Sequence, residues 1–232
     1  MLEEAPADER RTALDRALLS AIRARLDAGF GERPDGDAIA LRGLLTEATP
    51  AQAAAFLALR GRLEAEAAQV VVSGAAAAIL AADRYGLKIR TLEDADAALT
   101  ALSALAAAAS GGLAVLDVEA ARPWWGRLLA RPELRVVAAL PDDRHARPQA
   151  LVVSARKSGP TGEDRSFWVT DAAWPDSRIV ETLSQAGLAA EPLAARGGLK
   201  LFTLAGYVQA DDGRLIDAPG ALSGVIGAAP VF

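Results

Sequence analysis

The chain has no cysteine, one histidine and one methionine among its 232 residues. Without thiols there can be no disulfides and no thiolate chemistry, and the lone His145 cannot make a multi-histidine metal site, so neither a metal nor a cofactor is expected. Positive charge is in deficit: the formal net charge is -5 and the pI about 5.1. That balance gives no electrostatic reason to approach a phosphate backbone or an anionic membrane surface, so no nucleic-acid and no membrane partner is expected. Long apolar runs are missing too. The nearest, the alanine-rich stretch from Ala95 to Ala109, is too short to span a bilayer and carries Asp96. The opening MLEEAPADERR is acidic and lacks the apolar core of a secretory signal, which makes the cytoplasm the expected location. Gly74, after the first apolar strand, lacks the further glycines of a dinucleotide fingerprint, and no phosphate-binding P-loop spacing occurs.

What is present is apolar and periodic. A hydrophobic content of 52% over this length can fill a sizeable core, in one large or two to three small domains. Residues 8–69 read as helices. Leu14, Leu18, Ile22 and Leu26 recur every four residues, and Gly29 and Gly31 end that first helix. A second is predicted from Gly36 to Glu47, with Pro34 and Asp35 as start signals, and a third begins at Thr49-Pro50-Ala51-Gln52, a capping box with proline at the first helical position.

From Gln69 the period changes. Strands are predicted at 69–72, 87–90, 113–118, 133–140 and 149–155, alternating with helices at 74–84, at Thr91–Ala109 and around Trp124 and Trp125. Alternation of this kind implies βαβ crossovers and a mostly parallel sheet. A strand at 166–171, a helix at 175–186 and strands at 188–195 and 199–208 then suggest an α+β sandwich, followed by an irregular glycine- and proline-rich tail. The expected fold class is therefore multi-module α/β, divided into residues 1–68, 69–158 and 159–232.

Three segments carry a family resemblance, in order along the chain. TALDRALLSAIRAR (12–25) resembles the opening helix of AroQ-type chorismate mutases, with Arg25 on a ligand-binding arginine. GPTGEDRSFWV (159–169) is similar to the connector that leads from a prephenate dehydratase module into a regulatory ACT domain. LKLFTLAGYVQADDGRL (199–215) looks like the end of an ACT core. The resemblance is to the bifunctional chorismate mutase–prephenate dehydratase family. It implies a helical mutase-like module, an α/β dehydratase-lobe-like module and an ACT-like module, with a link to aromatic amino acid biosynthesis. The implied ligand is chorismate or a similar dicarboxylate, and because AroQ-type sites are shared between paired chains, the implied assembly is a homodimer.

The departures from the pattern bear on function. Chorismate rearrangement needs no proton transfer; cations hold a flexible dicarboxylate compact and stabilise the charge on the breaking ether oxygen. Here the first-helix arginine position reads Asp8, with Arg10 and Arg11 close by, and GFGERPDG has no lysine. The usual Arg-Glu pair falls on Gly36-Asp37, and Gln69 corresponds to the ether-contacting glutamine. The resemblance thus implies Arg25, Asp37 and Gln69 as catalytic candidates, with Arg10, Arg11 and Arg42 as substrate-binding ones. The dehydratase's Thr-Arg-Phe triplet is missing from RPQALVVS (147–154), which has Gln149 and Ala150 there, and PLAAR (192–196) stands where a phenylalanine-binding Glu-Ser-Arg-Pro would be.

Each residue also has a plainer use. Arg25 can be a solvated helix charge, Asp37 a first-turn acid favoured by the helix dipole, and Gln69 a structural hydrogen-bonding group. His145, in the polar loop PDDRHARP, has no visible base partner, Trp124 and Trp125 read as core or interface anchors, and SGPTGEDRS reads as a linker. Two functions follow: a chorismate-binding protein with weak or lost mutase activity and no dehydratase activity, or a pseudoenzyme that senses a small molecule or binds a partner.

Overall fold

In the computed structural model the described residues are 34–232 apart from Glu47, together with Thr12, Ala13, Arg16 and Ser20, which are helical. The first predicted helix otherwise lies outside the described residues. The protein is α/β. Helices α1 (Pro34–Leu45) and α2 (Pro50–Glu66) precede β1 (Gln69–Ser73), α3 (Ala75–Tyr85), β2 (Ile89–Thr91), α4 (Ala95–Ala107) and β3 (Gly112–Asp117). A 3-10 segment, Trp124–Ala130, leads to β4 (Arg135–Leu140) and β5 (Ala150–Ser154). The rest is β6 (Asp164–Thr170), α5 (Asp176–Gln185), β7 (Ala190–Arg196), β8 (Leu199–Ala205), a short 3-10 turn and β9 (Ser223–Pro230).

Local chemistry accounts for the helix starts. Thr49 accepts from the Gln52 amide while the Gln52 side chain accepts from the Thr49 amide, closing the predicted capping box with Pro50 at the first helical position. Helix α4 begins at Ala95 rather than Thr91: the Asp94 carboxylate caps it by accepting from the Ala97 amide at 2.8 Å, and Thr91 is the last residue of β2. The Trp124–Trp125 segment is 3-10 rather than α-helical. Both indoles are buried, and Trp124 Nε1 donates to the Asp117 carbonyl at 2.7 Å.

The nine strands of the described residues form one sheet in the order β2-β1-β3-β5-β4-β9-β6-β8-β7. The expectation of a mostly parallel sheet is corrected: only the β1–β2, β1–β3 and β4–β9 pairs are parallel, and the other five are antiparallel. The reason is loop length. A parallel return needs a crossover of about a dozen residues or more, and the short polar loop after β4 instead folds β5 back beside it. The expected irregular tail is corrected as well. Its residues 223–230 form β9, inserted between β4 and β6, so the sheet is continuous from the β1–β5 half to the β6–β8 half.

The two sheet faces are covered differently. One is a single apolar cluster in which Leu99 and Leu102 of α4 and Trp124, Trp125 and Leu128 pack on Val71, Leu116, Leu151, Phe167 and Ile226. The opposite face carries two clusters. In one, Ala77, Ala81 and Tyr85 of α3 pack on Val70, Val72, Val115 and Val152; in the other, Ile179 and Leu183 of α5 pack on Trp168, Phe202 and Val225. Burial on both faces explains why β1, β3 and β5 read as unbroken apolar runs.

Candidate functional site

The two clusters on the second face stop short of each other at the β4–β9 seam, where strand pairing is weakest. β4 and β9 share a single ladder pair, Val136 with Gly227. Both strands are bulged at that level. The register of β4 on β5 shifts between Val136 and Ala138, and that of β9 on β6 between Phe167 and Trp168, leaving out Ile226. Bulges bend strands and re-aim side chains, and they concentrate next to functional sites. Gly227 makes the approach possible: its φ is +141°, and a Cβ there would lie 2.3 Å from the Val136 carbonyl oxygen and 2.5 Å from its nitrogen.

Over this seam opens a cleft of about 680 Å³ floored by Val136, Val137, Val225 and Gly227. Its volume is that of a small-molecule site. Three cations line it, Arg135 at the start of β4 and Arg156 and Lys157 just after β5, together with Tyr207 and Gln209 and the carboxylates Glu133 and Asp211. Two anchors hold the connector that carries Arg156 and Lys157. The buried Ser154 hydroxyl donates to the Gly112 carbonyl at 2.9 Å and accepts from the Arg156 amide, and Tyr207 Oη donates to the Ser158 carbonyl at 3.1 Å. Arg135 Nη1 reaches across the seam to the Val225 carbonyl at 2.7 Å. The residue types suit an anion with apolar bulk; among the lining residues there is no histidine, and no acid is held against a hydroxyl or amine that it could activate.

Of the residues singled out from the sequence, Asp37, Arg42 and Gln69 do not line this cleft. Arg10, Arg11 and Arg25 lie outside the described residues. Arg42, in the last turn of α1, is a cross-brace: Nη1 donates to the Thr161 carbonyl at 2.6 Å, Nη2 to the carbonyls of Glu163 and Val231 and to Thr161 Oγ1 at 2.8 to 3.0 Å, and Nε to the Val231 carbonyl. Its guanidinium also lies 5.7 Å from the Phe232 ring centroid. Asp37 is buried in the first turn of α1 and is partnered. Gln69 is exposed at the start of β1, where its amide donates to the Gly111 carbonyl at 2.9 Å. In the connector, Thr161 donates from its amide and its hydroxyl to the Asp164 carboxylate, both at 2.7 Å, so the threonine and aspartate of GPTGED shape the turn. His145 is exposed in its loop.

Two other cavities differ in chemistry. A space of about 440 Å³ lies beyond the carboxyl ends of β1 and β3, the topological switch point of the parallel strands. There the chain's own Asp117 accepts from the Ala77 amide in the first turn of α3, filling the anion position, and Glu93, Asp94, Asp96 and Glu119 surround it. The third, about 20 Å³, is lined by Arg60, Glu64, Arg84, Tyr85 and Asp142. Arg84 pairs with Asp142 at 3.0 Å with side chains 6% and 8% exposed, and Arg60 with Glu64 at 3.3 Å. Burial pushes the Asp142 carboxyl above the ordinary range, against the attraction of Arg84. Among the described residues no group of histidine, aspartate and glutamate is arranged to hold a metal, and no helix is long and apolar enough to cross a membrane.

Sequence reasoning missed Arg135, Arg156, Lys157 and Tyr207. A usable signal was ARKS, two adjacent cations directly after a buried strand in a chain short of positive charge.

No family model matches the chain, and neither does any curated protein. A solved structure described as GqqA, a novel type of quorum quenching acylases, is similar over 72% of this chain and 96% of its own, at 15% identity and a TM-score of 0.46, a likeness too slight to carry an argument.

Proposed function

We propose that this protein is a non-catalytic small-molecule-binding module, a degenerate relative of the chorismate mutase–prephenate dehydratase enzymes, and that it takes a dicarboxylate such as chorismate or prephenate into the seam cleft. The observation that supports this most is the placing of Arg135, Arg156 and Lys157 around an open cleft of about 680 Å³ that offers cations and apolar floor but no paired acid and base. Binding without turnover is also favoured by the use of Arg42. Its donors are committed to Thr161, Glu163 and Val231, leaving it poorly placed to hold a substrate. The missing Thr-Arg-Phe triplet removes the hydroxyl that assists departure in a dehydratase.

The test is a calorimetric titration of the whole chain with chorismate and with prephenate, run beside a chorismate-disappearance assay that includes Arg25→Ala. Saturable binding of either compound without turnover is expected. Turnover abolished by Arg25→Ala would return the protein to the mutases; no binding of either compound would remove the dicarboxylate reading.

A further inference from the structure

We infer that Arg135 is the specificity-determining residue of the seam cleft, and that it couples capture of a planar carboxylate to closure of the β4–β9 seam. The inference rests on the cleft being a carboxylate site, as proposed above.

The three cations are held differently. Lys157 is exposed and forms no hydrogen bond or ion pair with a described residue, so it offers a rotatable point charge. Arg156 is half-buried and also lines the closed cavity of Arg60, Glu64, Arg84 and Asp142, so its charge is shared with that cluster. Arg135 alone is fixed by a bond that crosses the seam, Nη1 to the Val225 carbonyl at 2.7 Å. Its Nε and Nη2, the side-on pair of the guanidinium, donate to no described residue, and the side chain lines the cleft. A guanidinium anchored on one side with a free pair of parallel donors is pre-organised for the two oxygens of a carboxylate, which a single-point anion does not match as well.

The same bond ties the ligand to the fold. Beside the single ladder pair of Val136 with Gly227, the Arg135–Val225 bond is a second link from β4 to β9 at this level, and Arg135 adjoins Val136 in sequence. A carboxylate on Nε and Nη2 restricts the guanidinium to the orientation that donates to Val225. Occupancy therefore stabilises the seam, and by reciprocity a closed seam raises affinity.

The experiment compares wild type, Arg135→Lys and Lys157→Ala by calorimetric titration with chorismate, prephenate and iodide, and by hydrogen exchange of the amides at 224–228 with and without chorismate. Lysine keeps the charge and loses the fork, so Arg135→Lys is expected to weaken chorismate about tenfold and to leave iodide, a single-point anion, nearly unchanged. Lys157→Ala is expected to cost less than about fivefold. Chorismate should slow seam exchange in wild type and not in Arg135→Lys. Equal chorismate affinity for wild type and Arg135→Lys, or tight binding with no change in seam exchange, overturns the role of Arg135 while leaving the binding reading intact. A wild-type protein that binds neither organic acid overturns both.

Discussion

The protein gathers cations in two neighbouring places and treats them in opposite ways. Beneath α2 and α3, Arg60 and Arg84 are buried and paired with Glu64 and Asp142, Arg84 also donates to the Leu57 carbonyl, and the space left is about 20 Å³. At the β4–β9 seam, Arg135, Arg156 and Lys157 face about 680 Å³ of open cleft, which among the described residues is also lined by the acids Glu133 and Asp211. Arg156 lines both. The contrast teaches that a cation's use is set by how much of its hydrogen-bonding capacity its own chain absorbs. The first group is held because an unpaired buried charge is costly; the second stays available because the bulged strands beneath it leave an open cleft above their one close pairing.

The largest difference between the two places is expected at the buried pair. Arg84→Ala leaves Asp142 without its partner and is expected to cost about 3–5 kcal/mol in denaturant unfolding, whereas replacing both residues together, Arg84→Met with Asp142→Leu, should cost much less. Lys157→Ala, at the open cleft, should stay within about 0.5 kcal/mol. Equal losses at the two positions would erase the distinction. Next in size is Gly227→Ala, which drives a Cβ into the backbone of Val136 at a φ of +141°. An expected loss of about 1–3 kcal/mol should come with faster exchange of amides on both sides of the seam. An unchanged melting temperature would show that the strands are not in close approach there.

The smallest effect belongs to a surface pair. Arg214 donates to Asp212 and holds its carboxyl at about 2, below the ordinary 3.8. Because the folded-state value is depressed, this pair's contribution is present above about pH 4 and lost as pH falls toward 2. Asp212→Asn should therefore show a slightly flatter fall in stability over that range than wild type, and identical acid-unfolding curves would assign the pair no contribution.

Much of the local structure was legible because its causes are local. The Thr49–Gln52 capping box, the boundary at Gln69 where β1 begins, and the apolar runs of β3, β4 and β5 each depend on neighbours in sequence. β9 was not legible. Its SGVIGAAP is rich in glycine and alanine, with weak strand propensity and no clear alternation, and it becomes a strand because β4 and β6 supply backbone partners on both sides. The site was hidden for a related reason. Arg135 starts β4, Arg156 follows β5 and Tyr207 follows β8, and no spacing rule links them.

Inventory and capping need no tertiary partner, so the lack of cysteine, the single histidine and the starts of most helices and strands can be read from the chain alone. Strand direction and order, the insertion of β9, the commitment of Arg42 to three backbone carbonyls and a threonine hydroxyl, and the two free donors of Arg135 at the seam arise from long-range packing. Which groups are already satisfied depends on which distant backbone atoms reach them, and that is fixed only when the sheet assembles.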